Sequence, residues 1–89
     1  MLVTYDVVDD KRRSKLATFL EGYGRRVQKS VCECYLSLAE MRALHQQVMG
    51  RVEPGEDSVR FYWVPVDAVA RTLTIGSELP EPPPDSLII

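Results

Sequence analysis

A two-layer α+β sandwich in one small domain follows from three features of this 89-residue chain. Segments rich in β-branched and aromatic residues open the chain and recur around residues 26–36 and 58–64, the first and last of them with period-two alternation. Between them lie two stretches with apolar residues at three-and-four spacing, each preceded by a capping signal. The resulting order is strand, helix, one or two strands, helix, strand, strand. It puts both helices on one face of a single sheet and leaves the other face to solvent or a partner.

The first strand is expected from Leu2 to Val8, with Val3, Tyr5 and Val7 on one face and Leu2, Thr4 and Asp6 on the other. Asp6 is conspicuous, because a carboxylate buried among apolar residues needs a partner or a raised pKa. Asp9 or Asp10 then caps a helix whose stripe is Leu16, Phe19, Leu20 and Tyr23, ended by Gly22 and Gly24. From Arg26 to Leu36 the chain favours extended structure, but Lys29 and Ser30 interrupt it, which predicts a bent strand or two short ones.

Ser37 with Glu40 forms a capping box, flanked by Leu36 and Met41 as a hydrophobic staple, so a second helix starts at Leu38. Met41, Leu44, Val48 and Met49 give its buried stripe, His45 sits beside it and Gly50 closes it. A turn at residues 53–57 leads to the clearest strand, residues 58–64, with Val59, Phe61 and Trp63 opposite Arg60, Tyr62 and Val64. Pro65 ends that strand. A helical turn over residues 67–70 and a last short strand at Thr72–Ile75 are expected before Gly76.

Residues 1–76 thus make the ferredoxin-like βαββαβ domain with an extra C-terminal strand, and residues 77–89 a proline-rich arm. The arm ends in Leu87, Ile88 and Ile89, an apolar terminus behind a stiff spacer, suited to docking on a partner subunit's sheet edge. A chain this short gains much from a partner, so a homodimer is expected.

Composition excludes several classes. No long uncharged apolar run is present to cross a membrane or act as a signal peptide, and a cytoplasmic protein with no membrane role is expected. Cys32 and Cys34, in a C-x-C on one strand with one histidine elsewhere, make a poor disulfide and a poor zinc site; they read as small core residues. The net charge of −2 argues against a uniformly basic nucleic-acid binder, yet Lys11, Arg12, Arg13, Lys15, Arg25, Arg26 and Lys29 gather in the first third. A basic face on an acidic protein can still meet phosphate.

Tyr5, Asp6 and Val7, the run from Asp9 to Arg13, Leu20, Gly24 and above all the segment from Arg26 to Val31 resemble the CRISPR-associated protein 2 family. The similarity continues through residues 61–65 and Ile75 with Gly76. One departure is Cys32, where an aromatic is common in that family.

The resemblance implies a ferredoxin-like homodimer whose last strand crosses to the other protomer, acting in CRISPR spacer acquisition. It further implies a magnesium site, or manganese in its place, at Asp6 of the two chains, with metal-dependent cleavage of single-stranded RNA or duplex DNA. Arg13, Lys15 and Arg26 match family positions and are expected to hold the nucleic-acid backbone. A partnership with the CRISPR integrase subunit is also implied, in which the small dimer is a non-catalytic DNA-binding bridge. Without the resemblance, the residues alone equally suit a small regulatory module with no nucleic-acid role. No general base is apparent, since His45 falls on the wrong element and Asp9 or Asp10 is used as a cap.

Overall fold

Strand β1, Leu2–Asp6, is an inner strand of a four-stranded antiparallel sheet in the order β2 (Gly24–Gln28), β3 (Val31–Cys34), β1, β4 (Ser58–Tyr62). The computed structural model describes residues 1–82 and follows β1 with α1 (Asp10–Glu21), β2, β3, α2 (Leu38–Met49), β4 and a short α3 (Val66–Val69). This is the predicted ferredoxin-like βαββαβ topology. The interruption at Lys29 and Ser30 is the turn between β2 and β3, so two short strands form rather than one bent one.

Local signals start the helices where expected. Asp9 caps α1, its side chain accepting the Arg12 amide at 2.8 Å. Ser37 and Glu40 form the reciprocal capping box of α2, at 3.2 and 2.9 Å. Gly22 alone closes α1, and Gly24 already belongs to β2.

The core lies between the helices and one sheet face. Val3, Tyr5 and Val7 from the first strand and its extension meet Leu16, Ala17 and Leu20 of α1, Leu44 and Val48 of α2, and Cys32 and Cys34 of β3. Each fully buried leucine contributes roughly 1.5–3 kcal/mol relative to exposure. Phe19, Leu36, Met41, Val59 and Phe61 pack against this cluster from its rim. Two residues assigned to the helical stripes lie outside it: Tyr23, which is exposed and tilts against Phe19 at 5.2 Å, and Met49, which is exposed at the end of α2. On α1, Ala17 is buried beside Leu16 and Leu20.

Both long strands end earlier than the alternation suggests. β1 stops at Asp6 because the Val8 amide leaves the ladder and donates to Asp57 Oδ1 at 3.0 Å. β4 stops at Tyr62, which pairs with Leu2, because β1 offers no further residue to pair with. Met1 instead bonds β3 through Cys34, its ammonium donating to the Cys34 carbonyl at 2.9 Å.

The expected strand at Thr72–Ile75 does not form. A strand needs a ladder partner, and after α3 the chain passes over the open sheet face, where Thr72 lines a cleft with Leu2, Glu33 and Val69. Leu73 and Ile75 point fully outward, 94% and 101% exposed. The described part of the arm lies back on β2 and β3: Arg25 reaches Glu78 and Glu81 at 3.2 Å each, and the Tyr35 hydroxyl donates to the Glu81 carbonyl. The apolar terminus Leu87–Ile89, and with it the expected docking strand, lies outside the described residues. None of the described helices is long and apolar enough to cross a membrane.

Candidate functional site at the end of the first strand

β1 delivers Asp6 to the open face of the sheet at the point where the strand ends. Val3 and Tyr5 point into the core, so Leu2, Thr4 and Asp6 point away from it. Ser58 is the β4 partner of Asp6, and Arg60 the partner of Thr4. Arg60 therefore shares the face of Asp6 on the diagonal, a spacing of about 7–8 Å that a long side chain spans. Its Nη1 donates to the Tyr62 hydroxyl at 3.0 Å.

Asp6 is exposed, and its carboxylate makes no hydrogen bond or ion pair to another of the described residues. The partner that a buried acid would require is thus not needed here: water solvates the charge.

The acid that is buried and partnered is Asp57, whose side chain is 0% exposed. Its Oδ2 accepts Arg12 Nε at 2.7 Å and the Glu53 amide at 2.9 Å, and its Oδ1 accepts the Val8 amide at 3.0 Å and Arg12 Nη2 at 3.1 Å. The Arg12 guanidinium, helped by the two amides, holds the Asp57 carboxyl well below the usual carboxylate range despite its desolvation. Arg12 is raised correspondingly, and also reaches Glu56 at 3.1 Å. This clamp fastens the turn before β4 to the turn between β1 and α1, two residues beyond Asp6.

The remaining acids at this junction are also committed. Asp9 caps α1 and Asp10 pairs with Arg13 at 2.5 Å. Of the basic residues predicted to hold a backbone, Arg13 is tied to the end of β1, its Nη1 donating to the Val7 carbonyl at 3.2 Å. Lys15 is exposed on α1. Arg26 lies towards the helix layer, since it pairs in register with the core residue Cys32 and its Nη1 stands 3.9 Å from Glu21 of α1. The structure therefore gathers Asp6 and Arg13 at one end of β1 and sets Arg26 on the opposite side of the sheet.

Three further cations were not singled out as site residues. Arg60 was assignable to a face, but its position beside Asp6 depends on the β1–β4 register. Lys11 and Arg51 join Lys15 around a cleft of 390 Å³ between α1 and the end of α2. Lys11 and Lys15 share a helix spacing, whereas Arg51 comes from a part of the chain with no local motif.

The donor set can be compared with the implied metal. Mg²⁺ takes one or two carboxylates and keeps several waters, and Asp6 offers one carboxylate with both oxygens open. Among the described residues no three His, Cys, Asp or Glu side chains converge on one point. The cysteines do not compete for this role: Cys32 and Cys34 are buried in the core with sulfurs 3.6 Å apart. His45 packs edge-on against Phe61 at 5.3 Å, on the helix side of the sheet, and brings no imidazole to Asp6.

Comparison with known proteins gives a consistent picture. The profile of the family described as CRISPR associated protein Cas2 matches residues 1–72. A CRISPR-associated endoribonuclease Cas2 of Synechocystis is 39% identical over 88 residues, covering 99% of this chain and 96% of the relative. A CRISPR-associated endonuclease Cas2 of Thermus thermophilus is 43% identical over 79 residues, covering 89% and 84%. The crystal structure of Streptococcus pyogenes Cas2 at pH 6.5 superposes with a TM-score of 0.74 at 35% identity, covering 84% of this chain and 96% of that one.

Proposed function

Since the chain belongs to the CRISPR associated protein Cas2 family, we propose that it is a metal-dependent endonuclease of CRISPR spacer acquisition that cuts nucleic acid at Asp6. The observation that carries this reading is the state of the carboxylates at the end of β1. Asp9, Asp10, Glu56 and Asp57 are each held by a cap or an arginine, whereas Asp6 is exposed with no hydrogen-bond or ion-pair partner among the described residues. Relatives across most of the chain's length are named endoribonucleases or endonucleases, which supports the reaction class.

In this reading Asp6 of two copies supplies the carboxylates of one shared site. A bound Mg²⁺ or Mn²⁺ supplies Lewis acidity, lowering the pKa of a water and offsetting charge on the phosphoryl oxygens. The chain's own residues position the substrate. Arg60, on the face of Asp6, and Arg13, braced by the Val7 carbonyl, offer guanidinium donors to phosphate oxygens. The Asp57–Arg12 clamp keeps the turn after Asp6 from shifting when a polyanion binds.

The substrate is a phosphodiester in single-stranded RNA or duplex DNA, and the acting form is a homodimer. The test is cleavage of both substrates by wild type and Asp6→Ala, with metal or with chelator, after showing that both proteins fold alike. Asp6→Ala should cut at least about a hundredfold more slowly while binding nucleic acid as well as wild type. Equal cleavage by the two proteins would remove Asp6 from the chemistry.

A second reading is favoured by the basic cleft, which stands on the helix layer apart from Asp6. There the protein is a non-catalytic bridge that holds DNA and recruits the CRISPR integrase subunit. Metal-independent, salt-sensitive duplex binding with no cleavage by either protein would select it.

A further inference from the structure

We infer that the cleft between α1 and the end of α2 is a phosphate subsite, which grips the nucleic-acid backbone a few nucleotides from the phosphodiester that reaches Asp6. This rests on the nucleic-acid reading above and adds residues and a path to it. Leu16 floors the cleft, Lys11 and Lys15 stand one helical turn apart on one wall, and Arg51 closes it from just beyond Gly50.

Three cations of the cleft, Lys11, Lys15 and Arg51, stand outside any ion pair of the described residues, none meeting a carboxylate within 4 Å. The one acid that lines it, Asp9, accepts the Arg12 amide and keeps its negative charge, which offsets one cation, while Arg12 is engaged by Asp57 and Glu56. The negative end of the α2 dipole amounts to about half a charge, well short of the cations that remain. On a chain of net charge −2, three cations converging on one concavity select for an anion.

Arg51 is also prepared for that anion. Its guanidinium carbon lies 3.7 Å from the centre of the Phe19 ring, a cation–π contact that restrains the side chain without using its hydrogen-bond donors. A guanidinium fork flanked by two ammonium groups fits the tetrahedral oxygens of a phosphate ester.

The position of the cleft points to a strand. Asp9 lies three residues after Asp6, which limits the separation of their Cα atoms to about 10 Å. A nucleic-acid strand rising 3.4 Å per nucleotide covers that distance in about three nucleotides. One backbone can therefore run from the cleft around the end of the sandwich to the open face of Asp6.

The test is a fluorescence-anisotropy titration of labelled single-stranded RNA and labelled duplex DNA in the presence of chelator, across a series of salt concentrations. The variants are Lys11→Gln/Lys15→Gln and the same pair with Arg51→Gln; the first alters only exposed side chains, so it decides the matter if the second folds poorly. Loss of three contacts is expected to weaken binding about tenfold or more and to reduce the log–log salt slope by about two to three. Arg51→Lys should recover part of the loss. Wild-type binding with an unchanged affinity and slope in both variants would overturn the subsite while leaving the nucleic-acid reading intact. No binding by wild type overturns both, and binding of a free nucleoside triphosphate more tightly than either polymer overturns the strand path.

Discussion

Asp57→Ala should lower the melting temperature by on the order of 10 °C or more, because one carboxylate satisfies an arginine and two backbone amides at once. Removing it leaves the Arg12 guanidinium only its contact to Glu56 and strips the Val8 and Glu53 amides of their acceptor. Unpaired groups at a site closed to water cost far more than the net worth of the bonds lost. Asp57→Asn keeps one acceptor oxygen and the volume, and should fall between the two proteins.

The same carboxylate gives the acid limb a definite sign. Asp57 is held below the ordinary carboxylate range in the folded chain, so folding favours its ionised form. The stability it contributes is fully present above the unfolded pKa of about 4 and is lost as the pH falls through the folded value. Wild type should therefore lose stability on acidification, and Asp57→Asn should lose less over the same range. Thermal melts followed by circular dichroism from neutral to acid pH measure both effects. An Asp57→Ala protein that melts within a degree or two of wild type, with the same acid profile, would mean that the clamp contributes nothing.

That clamp also marks the boundary of what the sequence discloses. The capping box at Ser37 and Glu40 and the cap at Asp9 are contacts within one helical turn, so their residues suffice to place them. The faces of β1 follow from alternation, which puts Asp6 on the open side before any coordinate is known. Asp57, by contrast, sits in a Glu-Pro-Gly-Glu-Asp turn that reads as solvated, and its partner Arg12 is 45 residues away. The composition of a turn is the same whether its acid meets water or closes a tertiary clamp.

The basic first third illustrates the same limit from the other side. Seven cations in sequence suggest one face, yet Arg12, Arg13 and Arg25 are paired with acids, and Arg26 turns to the helix layer. A register shift between Arg26 and Gln28 breaks the period-two pattern there, so alternation along β2 cannot assign its faces. Thr72–Ile75 has the propensity of a strand, but propensity does not supply a ladder partner. The cleft needs Arg51 beside Lys15, and only the packing of α2 against α1 brings them together.

Gly24→Ala should cost more than about 3 kcal/mol of stability, the upper end of what one added methyl does in a packed site. A Cβ at this first residue of β2 would stand 2.6 Å from Cys34 Sγ and 2.9 Å from Cys34 Cα, and closer still to the Glu33 carbonyl oxygen. Two of these three neighbours are backbone of the adjacent strand, so no rotamer change relieves the overlap. Either β2 lifts from β3, giving up ladder bonds, or Cys34 is driven towards Met1, which bonds to its backbone. Gly55→Ala is the control, because a Cβ there meets nothing within 4 Å, and it should be neutral or stabilising by about 0.4–1 kcal/mol through the unfolded chain. Urea denaturation of the two variants separates the explanations. If Gly24→Ala unfolds at the same midpoint as Gly55→Ala, β2 yields at negligible cost and is not fixed to β3 as tightly as its close approach indicates. If it unfolds far earlier, the bare Cα at position 24 is what allows the edge strand, and Arg25 and Arg26 with it, to sit on the sheet.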